Sequence, residues 1–156
     1  MNKKDLYRPN VAMIIMSNNY PDKKEIFLAQ RNDLSDVWQF PQGGIDSGED
    51  VQEALFRELK EEIGTESVTI VAEYPEWISY DFPPKIAKSM HPYTGQKQRY
   101  FLVKLNDDAV IDIQTEYPEF SDYKFVGVKE VLSLSASFKK DVYKSVINYF
   151  KKEDFL

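Results

Sequence analysis

Glu58, Glu61 and Glu62 stand three and four residues apart in a stretch whose apolar residues follow helical spacing. At about 3.6 residues per turn, the three carboxylates fall within an arc of about 100° on one helix face. Like charges so placed repel by roughly 0.2–0.5 kcal/mol per pair on an exposed helix. Glu49 and Glu53 add negative charge upstream, and Arg57 and Lys60 offset only part of it. The helix macrodipole also disfavours acids near the C-terminal end. Carboxylates stacked in this way call for a compensating cation. A hard divalent ion with oxygen ligands fits, Mg²⁺ above all where phosphate supplies the remaining ligands. For a bare E-x-x-E-E the ordinary explanation is still a solvated acidic face, so the surroundings decide.

The element that must carry these acids is a helix over Val51–Ile63. Val51, Leu55, Leu59 and Ile63 recur every four residues, with Ala54 beside them, so the acids lie at the edge of an apolar stripe. Ser47 with Asp50 three residues on resembles a capping box, and Gly64 is placed to end the helix in a left-handed conformation. Val11–Met16 (VAMIIM) and Glu25–Arg31 (EIFLAQR) read as strands flanking a turn at SNNYPD, a candidate hairpin. Residues 32–37 read as loop, Val68–Tyr80 as strand, and 84–95 as loop after Pro83 and Pro84. Arg99–Leu105 and Tyr123–Val128 read as further strands, and Lys139–Phe150 as a closing helix. Strands in the middle with one central and one terminal helix imply an α+β layered domain.

The 156 residues predict one domain over 1–156, and 42% hydrophobic with 29% charged residues is an ordinary globular balance. No cysteine is present, which excludes disulfides, zinc–thiolate sites and cysteine nucleophiles and fits a reducing cytoplasm. The opening MNKKDLYRPN has no apolar core region and is not expected to be a signal peptide. No apolar run approaches membrane-spanning length, so no membrane partner is expected. A net charge of −6 argues against coating DNA or RNA through bulk positive charge. A local basic pocket for one phosphorylated end remains compatible with it.

The wider spacing changes the reading of the glutamates. Gly43 is followed by five residues, Glu49, seven residues, and then Arg57-Glu58-Leu59-x-Glu61-Glu62-x-Gly64. This resembles the Nudix box, G-x5-E-x7-R-E-U-x-E-E-x-G-U, over residues 43–64. Seven fixed identities coincide by chance at a given start with a frequency on the order of 10⁻⁸. The one departure is Thr65 at the final apolar position. The resemblance implies an α/β/α sandwich with a mixed sheet between helices and a hydrolase acting on phosphoanhydrides. It implies Glu58, Glu61 and Glu62 as metal ligands, Gly43 as a close backbone approach to metal or phosphate, Arg57 as the residue orienting a glutamate, and Glu49 as loop support. Mg²⁺ is the implied cofactor, two or three ions in number, with Mn²⁺ as a substitute.

Further segments narrow the resemblance. They are Tyr7-Arg8-Pro9-Asn10-Val11, Trp38-Gln39-Phe40-Pro41-Gln42-Gly43-Gly44, Gly95-Gln96-Lys97-Gln98, Pro118-Glu119-Phe120 and Ser137-Phe138-Lys139-Lys140-Asp141-Val142-Tyr143. Together with the box they are similar to a branch comprising bacterial RNA 5′-pyrophosphohydrolases and dinucleoside polyphosphate hydrolases that cut diadenosine tetraphosphate to ATP and AMP. The implied partners are 5′-triphosphorylated RNA ends, with a role at the start of mRNA decay, or dinucleoside polyphosphates. A cytoplasmic monomer is expected. Arg8, Arg31, Lys97, Lys139 and Lys140 could supply cations to a polyphosphate, and Tyr80 and Phe138 could stack on a base. In this branch Glu119 would join the metal site or act as base. His91, the single histidine, is expected to be a surface residue.

Overall fold

A computed structural model describes residues 6–33 and 36–156. Its framework follows from the run VAMIIM, which is apolar without alternation. Strand β1 (Tyr7–Met16) is buried on both faces: Val11, Met13 and Ile15 join one core, and Ala12, Ile14 and Met16 the other. Its partner β7 (Gly95–Leu105) runs parallel to it, from Tyr7 opposite Gly95 to Met16 opposite Lys104. Parallel strands covered on both sides read as continuous apolar runs for this reason.

Among the described residues the sheet has eight strands, with a main path β3-β2-β1-β7-β5. Here β2 is Glu25–Arg31, β3 Trp38–Gln39 and β5 Val68–Glu73. Three strands lie off that path: β4 (Gln42–Gly44) pairs with β1, β6 (Ile78–Asp81) with β7, and β8 (Phe120–Gly127) with β2. All these pairings except β1–β7 are antiparallel, so the sheet is mixed.

Helix α1 (Val51–Ile63) covers one face with Ala54, Leu55, Leu59 and Ile63. Helix α4 (Lys140–Lys152) covers the other with Val142, Tyr143, Val146, Ile147 and Phe150, assisted by Val131 of α3 (Val128–Leu134). The layering is α/β/α, as the sequence implied. Leu55, Leu59 and Ile63 are fully buried. At roughly 1.5–3 kcal/mol each, they outweigh the few tenths of a kcal/mol by which the glutamates repel, so packing holds the acids in place.

Several elements differ from expectation. Asp50 itself caps α1, its side chain accepting from the Glu53 N–H at 2.8 Å, so Ser47 is not the cap. Gly64 ends the helix at φ 77 against the Asp112 carbonyl, which leaves no room for a Cβ. The expected hairpin survives only at its base, where Met16 faces Ile26, because β1 and β2 pair mainly with β7 and β8. Val68–Tyr80 splits into β5 and β6. Within the expected loop 84–95, Pro84–Ser89 forms α2, with Pro84 in its first turn, a position where the missing N–H costs nothing. Within the 32–37 loop, residues 32, 33 and 36 are turn, and positions 34 and 35 lie outside the described residues. Residues 1–5 likewise lie outside them. No described helix is long and apolar enough to cross a membrane.

Candidate active site

Helix α1 delivers its acids to two environments. Glu58 and Glu62 are buried, at 7% and 5% exposure, while the Glu61 side chain is 58% exposed. This follows from the helix repeat: Glu58 and Glu62 flank Leu55, Leu59 and Ile63 on the packed side, and Glu61 falls outside it. Arg57 ties the group together. Its Nε and Nη2 donate to the two Glu49 oxygens, both at 2.8 Å. Nη2 also donates to the Gly44 carbonyl at 2.8 Å, and Nη1 to Glu58 at 2.8 Å and Glu61 at 3.2 Å. The planar guanidinium is suited to such forked bonding. Glu49 in turn accepts from the Asp46 N–H at 3.0 Å, so one arginine links the loop before α1 to two acids on it.

The electrostatics follow from this geometry. Burial pushes Glu58 up to about 7, with Arg57 pulling it down and Glu61 and Glu119 pushing it further up. Glu62 is raised well above the usual carboxylate range by burial, then by the charges of Glu119 and Glu58, and the Gln42 N–H only partly opposes them. Glu49 goes the other way, to about 2, because Arg57 and the Asp46 N–H hydrogen-bond its anion. Glu62 Oε2 is buried with no hydrogen-bond partner among the described residues. Four carboxylates around an orphaned buried oxygen suit a hard divalent cation, which supplies the missing positive charge. Among the described residues, no three His, Cys, Asp or Glu side chains are already drawn together as an ion cage. A Cβ at Gly43 would overlap the Glu58 carboxylate. The bare backbone at Gly43 thus lies directly against the Glu58 carboxylate.

These acids wall a cavity of about 490 Å³, within the range of small-molecule sites. The structure brings to it Arg8, Arg31, Gly43, Glu58, Glu61, Glu62, Tyr80, Glu119, Phe138 and Lys139. Tyr80 and Phe138 lie with ring centroids 5.8 Å apart. Arg31 is held by two bonds to Asp33, at 2.8 and 2.6 Å. Lys139 is buried at 6% exposure. Burial brings its amine down to about 8, helped by the charge of Arg31 and opposed by Glu62.

Two expected cations are not brought there. Lys97 alternates with Gln96 and Gln98 along β7, so its side chain lies on the other face of the sheet, 5.0 Å from the Trp77 ring centroid. Lys140 is the exposed first residue of α4. His91 is exposed just beyond α2. Conversely, the sequence pattern does not single out the amides of Asn10, Gln42 and Gln96 on the cavity wall, the first two of which Gln98 bonds. Gln98 Nε2 donates to Asn10 at 2.9 Å and to Gln42 at 2.8 Å. Gln96, opposite Tyr80 in the register, has a buried Oε1 without a partner among the described residues. The signal available was strand parity: Gln96 and Gln98 share the face of β7 that continues with Tyr100 and Leu102.

Known proteins match this chain closely. The NUDIX domain profile matches residues 6–146. A protein of Nitratiruptor sp. named RNA pyrophosphohydrolase is 61% identical, over 98% of this chain and 99% of its own length. One of the same name from Campylobacter jejuni is 58% identical, over 96% of both chains. Among solved structures, a C. elegans Ap4A hydrolase in a binary complex superposes with a TM-score of 0.68 at 21% identity, covering 93% of this chain and 98% of that one. That last likeness is one of fold.

Proposed function

This chain belongs to the Nudix family of hydrolases, and from that premise we propose that it is an RNA 5′-pyrophosphohydrolase, converting 5′-triphosphate RNA ends to 5′-monophosphates in the cytoplasm as an opening step of mRNA decay. The near-full-length relatives bearing that name support the substrate. The observation that carries the chemistry is the burial of Glu58 and Glu62 beside Glu61 and Glu119, in a cavity that also holds Arg8, Arg31 and Lys139.

Glu58, Glu61, Glu62 and Glu119 would hold Mg²⁺, or Mn²⁺ in its place. Such ions neutralise phosphate oxygens and make a water more acidic. Glu62 or Glu119 takes the proton of the attacking water. Glu62 is suited to this by its orphaned Oε2, and both line the cavity. Arg8, Arg31 and Lys139 steady the polyphosphate by charge, and the Tyr80–Phe138 wall faces the nucleoside. Arg57 bonds the acids and the Gly44 carbonyl and acts as a positioning residue.

The test is pyrophosphate or phosphate release from triphosphorylated RNA with and without Mg²⁺, for wild type and Glu61→Gln. The substitution keeps shape and removes charge, and a loss of about 10²-fold or more is expected from a lost metal ligand. Equal rates would refute the proposal. A side-by-side kcat/KM on diadenosine tetraphosphate decides whether that substrate is preferred instead.

A further inference from the structure

Behind the amides on the cavity wall, β7 places Gln98, 1% exposed and opposite Asn10 of β1 in the register. We propose that Gln98 is a positioning residue: it turns the amides of Asn10 and Gln42 so that their NH2 ends point into the cavity, as a row of uncharged donors for the oxygens of a polyphosphate. The inference rests on the phosphoanhydride hydrolase reading above.

Three observations carry it. First, the orientation of Gln98 is fixed from behind. The hydroxyl of Tyr100, a fully buried side chain, donates to Gln98 Oε1 at 3.0 Å, so the carbonyl end of that amide is taken and its NH2 end faces the other way. Second, that NH2 end is shared between two carbonyls. Gln98 Nε2 donates to Asn10 Oδ1 at 2.9 Å and to Gln42 Oε1 at 2.8 Å. An amide whose oxygen is turned back onto Gln98 presents its two N–H donors on the opposite side, and both Asn10 and Gln42 line the cavity. Third, the Gln42 nitrogen already acts as a donor there. Burial lifts the Tyr80 phenol to about 12, and a hydrogen bond from the Gln42 side chain pulls it back down; only a donor lowers a phenol in this way. That bond uses one of the two Gln42 hydrogens. Phosphate oxygens accept and do not donate, so a wall of N–H groups suits them, and reversed amides would set carbonyl oxygens against the same anion. Neutral donors of this kind supplement Arg8, Arg31 and Lys139 without the desolvation cost of another buried cation.

The experiment measures kcat and KM on triphosphorylated RNA for wild type, Gln98→Met, Gln42→Met and the double variant, with folding followed by Tm. Gln98→Met keeps the length of the side chain and removes its donor. KM rises about tenfold or more, the loss of one donor to an ionised acceptor, with little change in kcat, because a contact made equally in ground and transition states moves KM alone. In the Gln42→Met background the same substitution adds about threefold or less, since most of its effect runs through Gln42. An unchanged KM in Gln98→Met overturns the proposal, as does a double variant whose effects multiply. If Gln98→Met does not fold, Tyr100→Phe takes its place, removing only the hydroxyl that holds Gln98: KM rises about twofold or more, and an unchanged KM overturns the proposal. Inorganic tripolyphosphate added with Mg²⁺, read through the side-chain amide NMR signals of Asn10 and Gln42, separates this inference from the RNA reading. A wild type inactive on RNA whose amide signals move with tripolyphosphate refutes that reading and supports this one, and signals that stay in place overturn this one.

Discussion

Replacing Arg57 with alanine separates the two tasks the structure gives it, holding the helix entry and aiming the acids. Of its contacts, the bond to Glu61 reaches a largely solvated carboxylate and is worth little. The bonds to Glu58 and to the Gly44 carbonyl are shielded, since the Glu58 side chain is 10% exposed. A charge-assisted bond contributes about 1.5–3 kcal/mol. Discounted for the 28% exposure of the guanidinium itself, the loss is about 2 kcal/mol. For a chain of this size that lowers Tm by about 4–8 °C. The larger effect is on activity. Without Arg57, Glu58 loses the group that pulls its proton affinity down and Glu49 loses its tether, so the carboxylates reach their working positions less often. Removing such a supporting partner typically costs about 10–100-fold in metal affinity or rate. Arg57→Lys keeps one charge but cannot span Glu49, Gly44 and Glu58 together, so it recovers Tm better than kcat/KM. The assay is kcat/KM with the half-saturating Mg²⁺ concentration, read beside Tm at a temperature where both variants stay folded. A fall in Tm with unchanged kcat/KM and unchanged Mg²⁺ dependence would refute the aiming role.

Two further outcomes follow from the buried charges. The Glu58 carboxyl, raised from 4.5 to about 7 in the folded chain, binds its proton more tightly folded than unfolded. Its burial therefore costs nothing below about pH 4.5, and the cost grows as pH rises towards 7, to about 3 kcal/mol. Glu62 acts in the same direction. Thermal melts in EDTA should lose Tm between pH 5 and 7.5, and Mg²⁺ should raise Tm more at pH 7.5 than at pH 5; a flat or rising EDTA profile contradicts this. Lys139 is the opposite case, its amine lowered from 10.5 to about 8, so its buried charge weakens the fold below pH 8 and the loss is relieved as pH rises towards 10. Lys139→Met should raise stability at pH 7 by up to about 3 kcal/mol while lowering kcat/KM for RNA. A drop in Tm would show that the amine is better compensated than burial implies.

The box helix was legible because its information is local. One period of apolar residues sets the buried face, and the spacing of the acids along it sets where they emerge. The same holds for the tail helix and for the apolar run of β1. The lysines mark where local information ends. Lys97 and Lys139 both stand in segments that match the family branch, yet one points away from the cavity and the other into it. The difference lies in which parity of β7 faces α4, and in the turn of chain at Ser137–Lys139 that precedes α4. Parity of that kind is fixed by the pairing of β7 with β1, nearly ninety positions away in sequence, and no short-range pattern reports it.

The same pairing explains why the site is built from so many separate segments. Register places Arg8 of β1 beside Gln96 of β7, and Gln96 beside Tyr80 of β6. A guanidinium, an amide and an aromatic ring therefore lie in one row across the sheet. Helix α1 supplies acids to one wall of this cavity, and the turn that precedes α4 supplies Phe138 and Lys139. The cavity's cations Arg8, Arg31 and Lys139 thus come from elements other than α1 and meet its acids only in the folded chain. Had they shared one helix, they would neutralise each other through i,i+4 pairs. Kept on separate elements, Lys139 remains a buried cation and Glu62 a buried acid with an open oxygen. Each is costly to the fold and relieved by a bound phosphate or a bound cation. The molecule's least stable charges are in this sense its clearest statement of what it binds.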